Sequence, residues 1–358
     1  MVDVLDTSVL DSFGVGQTDF KAQAKAHRPR VNNRVAHIDA DFMCYQIARD
    51  TRDEMDGIRP MRTLDYKLAQ IEDLSQEIME RAGASRYVLH VTPGASTKGG
   101  RREQAVQKEY QANRAAKMKP EHLDIIRGHM GEGKFRFGIG IAHLNQEADD
   151  GLAQAGVADM VNNVICSKDK DLRMAPGIKM DMDTDDLIMV EPGDFGTISI
   201  DDTKSSKKLI GYGPKFFWAQ CLMGDTVDNI QGLPAVSGWD LERHNKTEIW
   251  RQNVLILSGT NPTDATHMRL KAAHTKTKQC GVVGAYDLLK DIDNNKDAFN
   301  EVRTLFQNLQ AKSNHVYKHW QTGEVVTPTQ ALLGDMRLLW MRLTEDKDDV
   351  LRWLKQYV

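Results

Sequence analysis

The sequence predicts an α/β protein: a central, mainly parallel sheet flanked by helices, carrying a basic helical arch and followed by a helical C-terminal region. Three observations predict it. Short apolar runs at 34–39, 86–91 and 160–166 have strand length, and segments with helical periodicity separate them. Between the first two runs, Leu64, Leu68, Ile71, Leu74, Ile78 and Met79 form one helical stripe, so a right-handed parallel strand–helix–strand unit is the default. Acidic residues stand where apolar runs end or helices begin, and open parallel sheets bind ligands beyond the carboxyl ends of their strands.

Length and composition bound the function. The 358 residues suffice for one large α/β domain or two smaller ones. The cysteines Cys44, Cys166, Cys221 and Cys280 are widely spaced, which indicates neither a zinc ribbon nor a disulfide framework and fits a reducing cytoplasm. No apolar run approaches about 18 residues, so a soluble protein without a membrane partner is expected. The net charge of −4 conceals a split: from Lys98 to Arg136 there are ten Lys/Arg against five Asp/Glu, while acidic clusters collect elsewhere. A basic segment beside an acidic pocket suits an enzyme that holds a polyanion and binds divalent cations.

Taken in order, residues 1–33 read as a flexible arm. The first strand ends at Asp39, a helix covers Met43 to Arg52, and the amphipathic helix spans 64–82. After the second strand, the Gly-containing stretch 93–100 leads into 101–114, a helix-prone basic segment with too few apolar residues for a core helix, which should project. A helix from Pro120 to Met130 follows, and another covers 146–158 with acidic residues in its first turn, where the helix dipole favours them. The third strand leads into Ser167 to Leu172. Residues 186–191 and 196–200 read as a hairpin or edge strands, 214–223 as an apolar helix, 279–289 as a glycine turn entering a helix, and 330–343 as an amphipathic helix. Domain boundaries fall near 34–224 (arch about 93–136), 225–295 (with an insertion at 235–276) and 296–358.

Four acidic clusters carry the chemistry: Asp39 with Asp41; Glu147, Asp149 and Asp150; Asp169 and Asp171; and Asp225 and Asp228 in the stretch 224–234. If the helix ending at Met223 continued, Asp225 and Asp228 would share a face. Asp41 reads as an N-cap of the following helix. Two like charges 4 Å apart repel by roughly 4 kcal/mol at an effective dielectric near 20. A convergent set therefore needs cations, and oxygen donors without His or Cys select Mg²⁺ or Mn²⁺. Two such ions suit in-line phosphodiester hydrolysis.

These motifs resemble the flap endonuclease/5′-nuclease family, particularly the 5′-to-3′ exonucleases of tailed bacteriophages. The resemblance covers roughly 34–290 and rests on Ile38-Asp39-Ala40, Glu109 to Arg114, Glu147 to Asp150, Ser167 to Leu172, and Gly224-Asp225 through Asp228 to Gly232. It implies that Asp39, Glu147, Asp149, Asp150, Asp169, Asp171, Asp225 and Asp228 are catalytic metal ligands for two Mg²⁺ or Mn²⁺ ions. It implies that Tyr110 stacks on a base and Arg114 contacts phosphate. It further implies a helix–hairpin–helix variant after the Gly-Asp motif that grips duplex and holds K⁺. Gly232, Gly281, Gly284 and Lys278 are the candidate DNA contacts there, with Lys98, Arg101, Arg102, Lys108, Lys117 and Lys119 on the arch. The implied partners are DNA with a 5′ end, nick or flap, and RNA annealed to DNA, in phage replication or host DNA breakdown. Two departures matter: Thr92 stands where many relatives place a metal-binding Asp, and Gln111 replaces the lysine that usually follows the arch tyrosine, so Lys98, Lys108, Lys117 or Lys119 would supply that cation. A haloacid dehalogenase-type phosphatase using Asp39 and Asp41, and a non-catalytic protein binding branched DNA, are the alternatives.

Overall fold

The computed structural model describes residues 28–49, 61–114, 118–203, 205–234, 236–237, 277–278, 280–313 and 315–357. Six strands form the central sheet: β1 (Val35–Asp39), β2 (Arg86–Val91), β3 (Gly138–Ala142), β4 (Asn163–Cys166), β5 (Gly177–Met180) and β6 (Leu187–Val190), in the order β3-β2-β1-β4-β5-β6. All neighbouring pairs are parallel except the antiparallel edge pair β5–β6. This is the mainly parallel, helix-flanked sheet that the sequence predicts.

Alternation along the strands divides the core in two. Ala36, Ile38, Tyr87, Leu89, Val91, Val164 and Cys166 pack with α1 (Ala40–Ala48), α2 (Leu64–Arg81) and α4 (Leu123–Glu132). Ile165, between Val164 and Cys166, belongs to the second core, with Leu152 and Ala153 of α5 (Ala148–Ala158) and the apolar α6 (Gly213–Met223). Around α6 lie α7 (Val282–Leu289), α8 (Asn295–Ser313), α9 (Pro328–Leu339) and α10 (Asp349–Leu354), which contribute Leu289, Phe306, Leu332 and Leu354 to that core. Among the described residues, no helix is long and apolar enough to cross a membrane.

Four expectations are corrected. The strands β3 and β5 are absent from the sequence reading. In β3, Gly138-Ile-Gly-Ile-Ala has low intrinsic strand preference, yet glycine is required: a Cβ at Gly140 would lie 1.6 Å from the Met130 carbonyl oxygen, and one at Gly138 2.3 Å from the Tyr87 ring. Of the two alternatives for residues 186–191 and 196–200, edge strands hold and a shared hairpin does not, because β6 pairs with β5 at the sheet edge while β7 (Thr197–Asp201) pairs with β8 (Lys208–Tyr212). The segment 101–114 does not project as a helix. Only α3 (Arg101–Gln104) and a 3₁₀ turn at Ala112–Arg114 are helical, and Arg101, Ala105 and Tyr110 are buried. Finally, α6 stops at Met223, capped by Gly224 at φ 69°, so Asp225 and Asp228 occupy a turn closed by the Asp225–Ile230 bridge rather than a helix face.

Nearly all of the insertion expected within the helix–hairpin–helix region, 238–276, lies outside the described residues, as do Lys117 and residues 1–27 of the N-terminal arm. On either side of that stretch, β9 (Val236–Ser237) pairs antiparallel with β10 (Thr277–Lys278).

Candidate active site

The acidic site is assembled at the carboxyl ends of β1 and β4 from four separated acidic stretches. At the end of β1, Asp39 caps α1: its Oδ1 accepts from the Asp41 amide at 3.0 Å and its Oδ2 from Ser167 Oγ at 2.7 Å. Asp39 is therefore the N-cap, a correction to the assignment of that role to Asp41. Asp41 instead reaches the second strand end, accepting from the Thr92 amide at 3.2 Å, with Arg127 3.7 Å away. Thr92 uses its hydroxyl oxygen to accept from the Ala148 amide at 2.8 Å, tying the end of β2 to the start of α5.

After β4, the Asp169 amide donates to Ser167 Oγ at 2.9 Å and Asp169 Oδ1 accepts from the Asp171 amide at 2.8 Å. Asp171 is buried and accepts from Gln220 of α6. In the turn after α6, Asp225 Oδ1 accepts from the Val227 and Asp228 amides at 2.6 and 3.2 Å. Two glycines shape this turn: Gly224 and Gly232 both have positive φ, and a Cβ on Gly232 would lie 2.3 Å from the Gly224 nitrogen.

The segment 98–114 lies against these carboxylates. Tyr110 OH donates to Glu147 Oε2 at 2.9 Å, and Gln111 Nε2 reaches Glu147 Oε1 at 3.4 Å and Asp228 Oδ1 at 3.1 Å. The Lys98 ammonium donates to Gln111 Oε1 and stands 3.4 Å from Glu147 Oε1. Arg114 pairs with Asp228. Arg101, fully buried, makes a bidentate pair with Asp150 at 2.7 and 2.8 Å and also contacts Glu147 at 2.9 Å. Asp150 is further held by the Arg342 amide at 3.0 Å, and closes a capping box at the start of α5.

Electrostatics divide the acids into two groups. Burial raises Asp39 to about 7, reinforced by Asp41 and Asp169. Burial likewise raises Asp41, Asp169, Asp149 and Asp171, with neighbouring carboxylates adding to each of the last two. Asp228 rises to about 6 through burial, against the opposing pull of Arg114. Asp150 behaves differently: burial alone would raise it, but Arg101 and Arg342 hold it below the ordinary range. So Asp150 is saturated by protein cations, whereas the others are carboxylates pressed against one another.

The structure thus brings Asp39, Glu147, Asp149, Asp150, Asp169, Asp171, Asp225 and Asp228 together, with Asp41, Ser167 and Lys170, to which the sequence assigns no ligand role, and with Gln220 of α6. Among the described residues, no three His, Cys, Asp or Glu side chains already form a metal-holding group, and Lys98, Arg101, Arg114, Arg127 and Lys170 are interposed. The donor chemistry still fits a hard cation: the acids are all-oxygen donors and outnumber the cations among them.

Of the candidate DNA contacts, Arg102, Lys108, Arg114 and Lys119 are exposed, Lys98 is half-buried, and Arg101 and Tyr110 are buried within the acidic network rather than presented to a base or phosphate. Gly232 is turned inward, its amide donating to the buried Asp335 and its carbonyl accepting from Gln107 at 3.2 Å. Gly281 is the N-cap of α7 and Gly284 lies inside that helix. For Lys278 only the strand backbone is described.

A histidine chain was also missed. His37 Nδ1 and His90 Nε2 lie 2.9 Å apart, as do His90 Nδ1 and His143 Nε2, and His143 continues to Gln146 at 3.2 Å, beside Glu147. Burial lowers all three, His37 to about 4, so the imidazoles are neutral and brace the start of α5. Their diagonal contact across three strands has no signature in a single sequence.

No protein-family model matches the chain, and no curated protein matches it in sequence. Similar solved structures include the T5 D15 protein co-crystallised with metal ions, 13% identical, covering 78% of this chain and 94% of that one at a TM-score of 0.34. Another is a bacteriophage T5 D15 flap endonuclease pseudo-enzyme-product complex with DNA and metal ions, 13% identical, covering 77% and 93% at 0.37. A third is a mutant T5 5′-exonuclease, 12% identical, covering 77% and 92% at 0.30. These neighbours come from the family that the motifs resemble. Superpositions this loose carry no argument about the site, which rests on its own geometry.

Proposed function

We propose that the chain is a divalent-cation-dependent nuclease that hydrolyses phosphodiester bonds in DNA from a 5′ end, nick or flap. The observation that supports it is the convergence of buried and half-buried carboxylates from four stretches at the carboxyl edge of a parallel sheet. Asp39, Asp149, Asp169, Asp171, Asp225 and Asp228 are the residues that would hold Mg²⁺ or Mn²⁺. Bound there, such a cation supplies Lewis acidity and a more acidic water. Asp150 acts as a structural partner of Arg101, and Glu147 is shared between that pair and the open site. Lys98 sits beside Gln111 at the edge of the carboxylates, where an ammonium can meet a substrate phosphate; it stands in for the cation that Gln111 lacks. The exposed Arg102, Lys108, Arg114 and Lys119 provide backbone contacts, which release counterions on binding.

The 5′ polarity is supported by the motif resemblance, and RNA annealed to DNA is part of the same reading. The test is product sizing from 5′-labelled blunt, nicked, flapped and RNA-primed duplexes with Mg²⁺ or with EDTA, beside Asp169→Asn. Short 5′ products that require the cation and vanish in Asp169→Asn are expected. Release in EDTA, or only from 3′ ends, overturns the reading.

A further inference from the structure

We propose that Lys170 is a built-in counter-ion of the site, capping the oxygens of Asp225 and Asp171 that a divalent cation would take, so that cation loading must displace its ammonium. This rests on the reading above and assigns a role to a residue outside the acidic set. Lys170 lies in the 3₁₀ turn Lys170–Met174, whose cap is Asp169, so its side chain leaves the chain between two site carboxylates. Its Nζ is 3.1 Å from Asp225 Oδ2 and 3.9 Å from Asp171 Oδ1.

The two oxygens of Asp225 have separate duties. Oδ1 is turned back to the Val227 and Asp228 amides, which fix the carboxylate plane. Oδ2 receives the Lys170 ammonium. The oxygen not used by the turn is thus the one that Lys170 covers.

Exposure separates this pair from the buried Arg101 pairs of the site. Arg101 has no exposed side-chain surface and is locked between Asp150 and Glu147, while the Lys170 side chain is 50% exposed over Asp225 at 6%. A compact ammonium on a flexible four-carbon stem can swing into solvent, whereas a buried bidentate guanidinium cannot. A +1 and a +2 charge within about 4 Å of one another repel strongly even at an effective dielectric near 20, so the two cations exclude each other. The ammonium therefore lowers the apparent affinity of the site by the fraction of time it occupies the shared oxygens. At Glu147 the same logic fails, because Arg101 stays paired with it whether or not Lys98 leaves.

Two measurements on the DNA-free chain test this. Calorimetric titration with Mn²⁺ compares wild type with Lys170→Gln and Lys170→Arg. Lys170→Gln should bind Mn²⁺ about 5-fold or more tightly, within the usual range of site-to-site coupling, and Lys170→Arg should stay nearer wild type. In wild type, acylation of Lys170 by an amine-reactive reagent, read by mass spectrometry against the exposed Lys168, should rise when saturating Mn²⁺ is added. Equal or weaker binding by Lys170→Gln, or labelling of Lys170 that Mn²⁺ leaves unchanged, overturns the proposal while leaving the nuclease reading standing. Wild type that binds no Mn²⁺ at millimolar concentration overturns both.

Discussion

Arg101 shows how a residue that reads as a nucleic-acid contact can be consumed by the fold. Its guanidinium holds Asp150 in two hydrogen bonds, reaches Glu147, and donates to the Trp340 carbonyl at 3.0 Å. Removing one partner of a buried pair leaves the other charge unpaired, so Arg101→Leu should lower the unfolding free energy by about 3–5 kcal/mol. The neighbouring, exposed Arg102→Ala should change it by less than about 0.5 kcal/mol. Urea denaturation measures both, and equal effects would refute the assignment of Arg101 as structural. Composition shows ten cations between Lys98 and Arg136 but not which of them face inward, because their partners Glu147 and Asp150 come from the start of α5. Asp41 and Asp39 illustrate the same limit. N-cap preference does not distinguish two aspartates two positions apart, and only the strand end decided that Asp39 caps.

At the level of elements, the turn after α6 determines how Asp225 and Asp228 enter the site. Gly224 has φ 69° and ψ −173°, a region essentially confined to glycine, and a Cβ there would lie 2.4 Å from the Ile230 carbonyl oxygen. Gly224→Ala should cost about 1–3 kcal/mol and also weaken Mn²⁺ binding, since relief of the clash moves both aspartates. Calorimetry and denaturation together check this. Loss of stability with unchanged Mn²⁺ affinity would show that the turn does not position the acids. The helices with strong apolar periodicity, such as Leu64–Arg81 and Pro328–Leu339, were legible because their stripes are local. The edge strand β3 was not, because its glycines answer to Met130 and Tyr87, contacts made by other elements.

Across the whole molecule, buried carboxyls give the cation-free protein a distinctive pH response. Burial raises Asp335 to about 8, in spite of the Gln107 hydrogen bond at 2.6 Å, and Asp39 and Asp228 rise to about 7 and 6, above the ordinary carboxylate range. With folded-state values above the unfolded ones, the native state holds more protons between about pH 4 and 8, so stability falls as pH rises through that window. In EDTA the Tm should therefore decline from pH 5 to 8. Saturating Mg²⁺ should reduce the decline arising from the site acids, because binding to the native state alone stabilises it. Asp335→Asn should remove a further part of the decline without changing the response to Mg²⁺, as it lies outside the site. A Tm that rises with pH in EDTA would contradict the burial of these acids.

The sequence by itself determined the parallel strand–helix core, the strand ends where acids collect, and the oxygen-only chemistry of those acids. Each of these follows from local periodicity and residue type. Tertiary structure alone decided which acids stay open and which are neutralised, that Arg101, Ala105 and Tyr110 turn inward, and that Lys170 covers Asp225. These outcomes depend on desolvation and on charge pairing between side chains far apart in the chain, and both are set by where the backbone brings them rather than by the residues beside them.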